Sequence, residues 1–304
     1  MALGCECNAG LSNTGRPGCV PIQSVTSSMI IVPLTANDGT KNGIDLSTTL
    51  PVWNDLINEA DASKRYFPLP QFENVELPKA DTQFEEAASG RQAYLRQGKR
   101  SFTGELWADD STPTFLGKLQ ASRCVDFGIY IVDVNGNLIG SQDGDYLYPI
   151  PVDNASWDPK WMPATDSTVQ KIMLGFDWDR LFDESTLYML TPDEAGVNFN
   201  DLTGLIDVNI IGGVGALTFD SVSFSAALDY GTALNKIVYT GATNVADWDV
   251  YNVTTASSLN PIAGVTEGPD GDYTLSFAAQ SSSDVIRVTV ARDGYIGTAD
   301  ITLP

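Results

Sequence analysis

The chain of 304 residues contains no histidine. That removes the commonest general base and metal ligand, and with them Ser-His and Cys-His nucleophile pairs. Enzyme chemistry is left to carboxylate pairs, Ser-Lys arrangements or carboxylate-bound metals. Basic residues are scarce as well: 17 Lys and Arg stand against 39 Asp and Glu, a formal net charge of −22. Such a chain repels nucleic acid and anionic membrane, which disfavours a conventional DNA-binding role. The longest apolar run, MIIVPL at 29–34, is far too short to cross a bilayer. The opening MALGCEC has neither a basic n-region nor an apolar h-region, so no signal peptide is expected. Leu3-Gly4-Cys5 has the look of a lipobox, but no membrane-crossing stretch stands before it.

Cysteine is also sparse, with four in all, and three of them (Cys5, Cys7 and Cys19) fall in GCECNAGLSNTGRPGC. A structural zinc site wants four ligands, usually as two C-x₂₋₄-C pairs. A C-x-C with one distant thiol does not supply them, even with Glu6 as a fourth donor. A disulfide between Cys19 and Cys5 or Cys7 requires oxidation outside the cell. Free thiols on an irregular arm are the default, and no metal or other cofactor is expected. Cys124 opens a run that reads as a buried strand.

Hydrophobic content of 43% and aromatic content of 10% place the chain among folded proteins, with length for one large core or two ordinary ones. The charge is uneven. Residues 1–100 hold nine bases and eleven acids, 101–200 hold five and sixteen, and 201–304 hold three and twelve. The near-neutral first third concentrates its bases in GRQAYLRQGKR, at Arg91, Arg96, Lys99 and Arg100. A basic ribbon on an acidic protein suits an acidic partner, including another copy of the same chain.

The pattern is mainly β. Residues 1–25 read as an irregular arm, 26–212 as a β-sandwich or barrel domain with one or two short helices, and 213–304 as a second, immunoglobulin-like β-sandwich. SSMIIVPL reads as a buried strand. STTLPVWNDLINEA reads as a helix with a Thr cap before Pro51 and an apolar face of Val52, Leu56 and Ile57. RYFPLPQFENVELPK, with its prolines, reads as an edge or surface crossing. DDSTPTFLGKLQAS reads as a second helix, capped by Ser111 or Thr112 and started by Pro113. CVDFGIYIVDVNGNLIGSQ is a β-hairpin turning at Asn135-Gly136. GLIDVNII is read as the last strand of the first domain, and IGGVGAL as a hinge. About seven short strands follow, in a segment with no cysteine, so the immunoglobulin likeness is architectural.

Each candidate site has a plainer reading. DVNGNLIGSQDGD imitates a calcium loop, with Asp143 and Asp145 as acids, but its glycine and final residue fall in the wrong places, and β-turns explain it better. Asp177 and Asp179 in GFDWDR would share one face of a strand, as a glycosidase pair does, yet solvated acids do the same. WDPKW at 157–161 is the one tryptophan cluster that could form a sugar platform, against core packing of Trp157 and Trp161. GGVG at 212–215 lacks the lysine and hydroxyl of a phosphate loop.

The order of a strand, a long basic-acidic extension, GKRSFTGELWADDSTPTFLGKL and CVDFGIYIVDVNGNLIG resembles the major tail tube protein of long-tailed bacterial viruses. CNAGLSNTG is similar to structural proteins of phages infecting Bacteroidota. The resemblance implies a non-enzymatic virion subunit, made in the host cytoplasm, that forms hexameric rings stacked into a tube. Its partners would be copies of itself and other tail proteins, with DNA passing non-specifically and no membrane contact. The immunoglobulin-like domain would decorate the outside, and the N-terminal arm would pack on a neighbouring ring. On this reading DTQFEEAASGRQAYLRQGKRSFTGEL reaches across to a neighbour, with Glu85 and Glu86 near Arg91, Arg96, Lys99 or Arg100 of the adjacent copy. The plainer reading is a solvated hairpin within one monomer. Rival functions are a capsid decoration or head-fibre subunit, a carbohydrate-binding β-module, and, with least support, an acid-pair hydrolase.

Overall fold

The structure, a computed structural model, describes residues 22–212, 217–229, 237–292 and 294–304. Cys5, Cys7, Cys19 and most of the IGGVGAL hinge lie outside the described residues. The first unit begins with β1 (Thr26–Pro33), β2 (Ile44–Asp45), helix α1 (Trp53–Ile57), β3 (Phe67–Pro68) and β4 (Glu73–Glu76). Then come β5 (Gln83–Glu86), β6 (Gln92–Arg96), β7 (Ser101–Trp107) and helix α2 (Pro113–Ala121). It continues with β8 (Phe127–Asp133), β9 (Leu138–Asp143), β10 (Tyr146–Tyr148), β11 (Ile150–Met162), β12 (Lys171–Trp178), β13 (Leu187–Leu190) and the single-turn α3 (Pro192–Ala195).

The main path of this unit runs β2-β10-β9-β8-β11-β12-β7-β4, with β1 on β8, β3 on β1 and β13 on β9. Strand β11 is the corner. Its start pairs with β8 (Ile150 opposite Ile129), and its end pairs with β12 (Met162 opposite Lys171). A register shift between Asp153 and Asp158 lets one strand serve both leaves, as bulges do where sheets bend. The leaves enclose a core that includes Phe102, Phe127, Trp157, Ile172, Leu174 and Phe176.

The run SSMIIVP has no polar alternation because β1 is buried on both faces. Met29 and Ile31 enter the core between the leaves. Ile30 and Val32 enter a second core with Trp53, Tyr66, Tyr130 and Phe199. Burial of Trp53 also sets the start of α1. The helix begins at Trp53, and the exposed Val52 stands at the N-cap position with no side-chain cap, so the expected Thr cap before Pro51 does not form. Trp53 lies edge-to-face on Phe199 at 4.6 Å. Helix α2 follows its local signals: Thr112 Oγ1 accepts from the Phe115 N–H at 3.3 Å, and Pro113 is the first residue.

The β8–β9 turn is held by Asp133, whose buried carboxylate accepts from the N–H groups of Ser24, Asn135 and Asn137 and from the Asn137 amide, at 2.9–3.0 Å. Burial pushes this carboxyl up, and the donors outweigh it, leaving it below the usual range. Gly136 turns the chain at φ +78, where a Cβ would also strike the Asn198 amide oxygen.

The second unit holds β14 (Ile206–Gly212), β15 (Ser221–Leu228), β16 (Trp248–Asn252), β17 (Ser257–Ser258), β18 (Gly264–Glu267), β19 (Asp272–Ser276), β20 (Val285–Arg292) and β21 (Tyr295–Thr302). One leaf is β14-β15-β19-β18. The other is β16-β20-β21, with β17 beside β16. In chain order these are the ABED and CFG sheets of a constant-type immunoglobulin sandwich. Strand β14 also pairs in parallel with β21 (Ile206 opposite Tyr295), which closes one side. GLIDVNII, read from sequence as the end of the first domain, therefore belongs to the second sheet system, upstream of the 212–213 boundary. Trp248, on the C-position strand, packs on Phe224 (5.3 Å) and Tyr273 (5.0 Å), and its indole N–H donates to Ala242 O at 2.8 Å. Aromatic contacts occupy the heart of a sandwich that has no disulfide to fill it.

Candidate assembly interface

Strands β4 and β7 pair at the edge of the main sheet (Glu76 opposite Thr103). The pairing does not stop there. A bridge joins Lys79 to Arg100, and Ala80 N–H donates to Lys99 O at 2.8 Å. Beyond it β5 and β6 form a two-stranded sheet that pairs with no other described strand. One ribbon thus runs from the sheet edge into solvent, and β6 alone carries it roughly 15 Å outward. Gly98 is buried where the ribbon leaves the body, and a Cβ there would lie 1.5 Å from Ala80 O, so only glycine fits.

The exit is clamped. Glu184 takes Arg100 with both oxygens (Nε at 2.9 Å, Nη2 at 3.1 Å) and Lys79 at 2.8 Å. Arg100, then burial working the other way, then Lys79, leave the Glu184 carboxyl held down to about 2. The Arg100 guanidinium also lies over Trp178, 5.0 Å from the ring centre. The Gln97 amide donates to Arg180 O (3.1 Å) and Phe182 O (2.8 Å). Lys99 reaches Asp177 at 2.5 Å, and Ser101 Oγ donates to the same carboxylate at 2.7 Å.

Of the six residues expected to meet a neighbour, the structure divides the set. Lys99 and Arg100, expected to meet a second copy, form ion pairs with Asp177 and Glu184 of their own chain. They lie at the ribbon base, where Asp177 and Glu184 come within reach. Arg96 Nε donates to the Gln83 amide oxygen at 2.8 Å. Glu85, Glu86 and Arg91 stand exposed near the tip, with no ion pair among the described residues. The sequence reading passed over the apolar members. Phe84 and Tyr94 lie opposite each other, edge-to-face at 6.1 Å, and are 55% and 61% exposed; Leu95, on the other face, is 55% exposed. Their signal is the apolar residues Phe84, Tyr94 and Leu95 set among polar ones in QFEE and QAYLR, on either side of a glycine turn. Glu184 had no signal, being 84 residues from Arg100.

Several other candidates separate in space. Trp157 is fully buried, with its indole N–H on Leu119 O at 2.6 Å, whereas Trp161 is exposed; WDPKW forms no shared platform. Asp177 is nearly buried on β12, while Asp179 lies past the strand end and accepts from the Leu181 N–H at 2.7 Å, so the two do not face one site. Cys124 is exposed in a short 3-10 turn before β8 instead of opening a buried strand. Asp143 and Asp145 flank the Gly144 turn between β9 and β10. Among the described residues no three His, Cys, Asp or Glu side chains group as a metal site, and no helix is long and apolar enough to cross a membrane. No protein-family model matches the chain, and no curated protein matches it.

Proposed function

We propose that the chain is a virion structural protein, a tail tube subunit that associates with copies of itself into stacked rings and conducts the viral genome. The observation that carries this reading is the ribbon β5–β6: a clamped, glycine-gated extension that exposes Phe84, Tyr94 and Leu95 and pairs with no other described strand. Exposed apolar side chains on a held scaffold are what a partner surface requires. The net charge of −22 supports the same reading, because an acidic conduit repels phosphate and keeps DNA mobile. The immunoglobulin-like unit, with its own core, suits an outer decoration.

Electron microscopy of the purified chain at high concentration is expected to show rings or tubes. Phe84→Asp with Tyr94→Ser is expected to leave a folded chain that no longer assembles. A wild-type chain that stays monomeric at every concentration overturns the proposal. Small closed oligomers without tubes would favour a capsid decoration or head-fibre subunit.

A further inference from the structure

Strand β7 has opposite chemistry at its two ends. At its start lies a cleft of about 390 Å³ whose walls bring Arg96 and Arg180 together with Trp178 and Phe182, with Lys99 and Arg100 at its base and the acids Asp81, Asp179 and Glu184 also in its lining. Lys99 and Arg100 are neutralised by Asp177 and Glu184. Arg96 meets only an amide oxygen, and Arg180 has no carboxylate partner among the described residues. Trp178 is buried in the cleft wall, and its indole N–H has no acceptor among the described residues. Leu181, next to Arg180, is 92% exposed.

At its other end β7 runs directly into the turn Ala108–Asp110. Asp109 and Asp110 are exposed there and pair with no base among the described residues. Burial, and then the neighbouring Asp109, push the Asp110 carboxyl above its usual range, as expected of an acid pair without a counterion. The turn is fixed before any partner arrives: Ala108 N–H donates to Gln170 O at 3.0 Å, and Ser111 Oγ donates to Ala108 O at 2.7 Å. Trp107 and Met162 flank Lys171 in one cross-strand row and are both exposed, with Val169 in the adjoining loop. Seven residues separate the two ends, roughly 20 Å of strand.

We infer that the Ala108–Asp110 turn of one copy docks in the cleft at the start of β7 of a second copy, with Asp109 and Asp110 facing Arg96 and Arg180. The inference rests on the self-association reading and names the surfaces that stack. Opposite charges without partners of their own supply the register, since guanidinium–carboxylate pairs are the strong, directional ones. The two halves lie at opposite ends of one strand, so the contact is head-to-tail: every bound copy presents a fresh half, and the array grows along the strand direction.

The test is charge reversal at each end. Arg96→Glu with Arg180→Glu, and Asp109→Lys with Asp110→Lys, are each expected to raise the concentration needed for assembly at least about tenfold. Circular dichroism and melting should match wild type in both. An equal mixture of the two double variants should assemble again, because each then offers the end the other needs, and one chain carrying all four reversals should assemble alone. A wild-type chain that never assembles overturns this inference together with the self-association reading. Wild-type assembly accompanied by undiminished assembly of both double variants overturns this inference alone. So does failure of both the mixture and the fourfold variant to recover.

Discussion

The ribbon uses an edge-to-face aromatic pair twice, once at each end. In the sheet, Phe72 meets Phe102 at 5.3 Å; beyond Gly98, Phe84 meets Tyr94 at 6.1 Å. The geometry is nearly the same, and the surroundings are not. Phe72 and Phe102 are 6% and 0% exposed, under β12 and the main core, whereas the outer pair is more than half exposed. Two aromatics across a ribbon hold each other in either setting. What the inner pair has and the outer pair lacks is a cover. The comparison separates stability, which resides in the covered pair, from recognition, which the uncovered pair is left to perform.

The largest effect should come from removing one ring of each pair. Phe102→Ala is expected to cost about 3–5 kcal/mol, as for other large-to-small changes at a fully buried aromatic, and to lower the melting temperature by roughly 10 °C. Phe84→Ala should change monomer stability by no more than about 0.5 kcal/mol while abolishing assembly. Equal destabilisation by the two, read from thermal melts, would break the comparison.

A smaller effect is expected at the joint. Gly98→Ala places a Cβ against Ala80 O, so the backbone must shift, at a cost on the order of 1–3 kcal/mol. The inner pair should stay packed, with near-ultraviolet circular dichroism largely retained, while the outer pair is re-aimed and assembly fails. Normal assembly would show that the angle at which the ribbon leaves the body is unimportant.

The clamp should matter least, and only in a defined pH range. The Glu184 carboxyl is low when folded, so its contribution is fully present above the ordinary Glu range near 4.5 and is lost as pH falls towards about 2. Partial exposure screens it, which limits the contribution to about 1–2 kcal/mol. Glu184→Gln is expected to lower stability by about that amount at neutral pH and to flatten the dependence between those limits. Parallel acid melts of wild type and variant would sink this assignment if their separation stayed constant through the window.

Local chemistry made much of the fold legible. Helix α2 was readable from Thr112 and Pro113, and the β8–β9 hairpin from Asn135-Gly136, because caps and turns are decided within a few residues. The ribbon was readable as an extension, since its acids and bases stand on opposite arms of a glycine turn. Three features escaped because their causes are distant. Glu184 meets Arg100 across 84 residues. Strand β14 pairs with β15 across the IGGVGAL segment and in parallel with the distant β21, and neither pairing is written in its own residues. Trp157 and Trp161 share one short motif and one strand parity, yet only the first lies under α2. The start of α1 shows packing overriding a local signal, with Trp53 fixing the first turn from inside.

Strand β1 alternates its side chains between two cores, and β8 beside it does the same with Ile129 and Ile131 on one face and Tyr130 and Val132 on the other. Neither core can therefore loosen alone, since freeing one releases the strands that wall the other. In hydrogen exchange the amides of β1 and β8 should open only with the whole first unit, as its slowest group, while those of β5 and β6 exchange through local opening. A structure this cooperative at its centre can carry a solitary ribbon at its margin without sharing in that ribbon's motion.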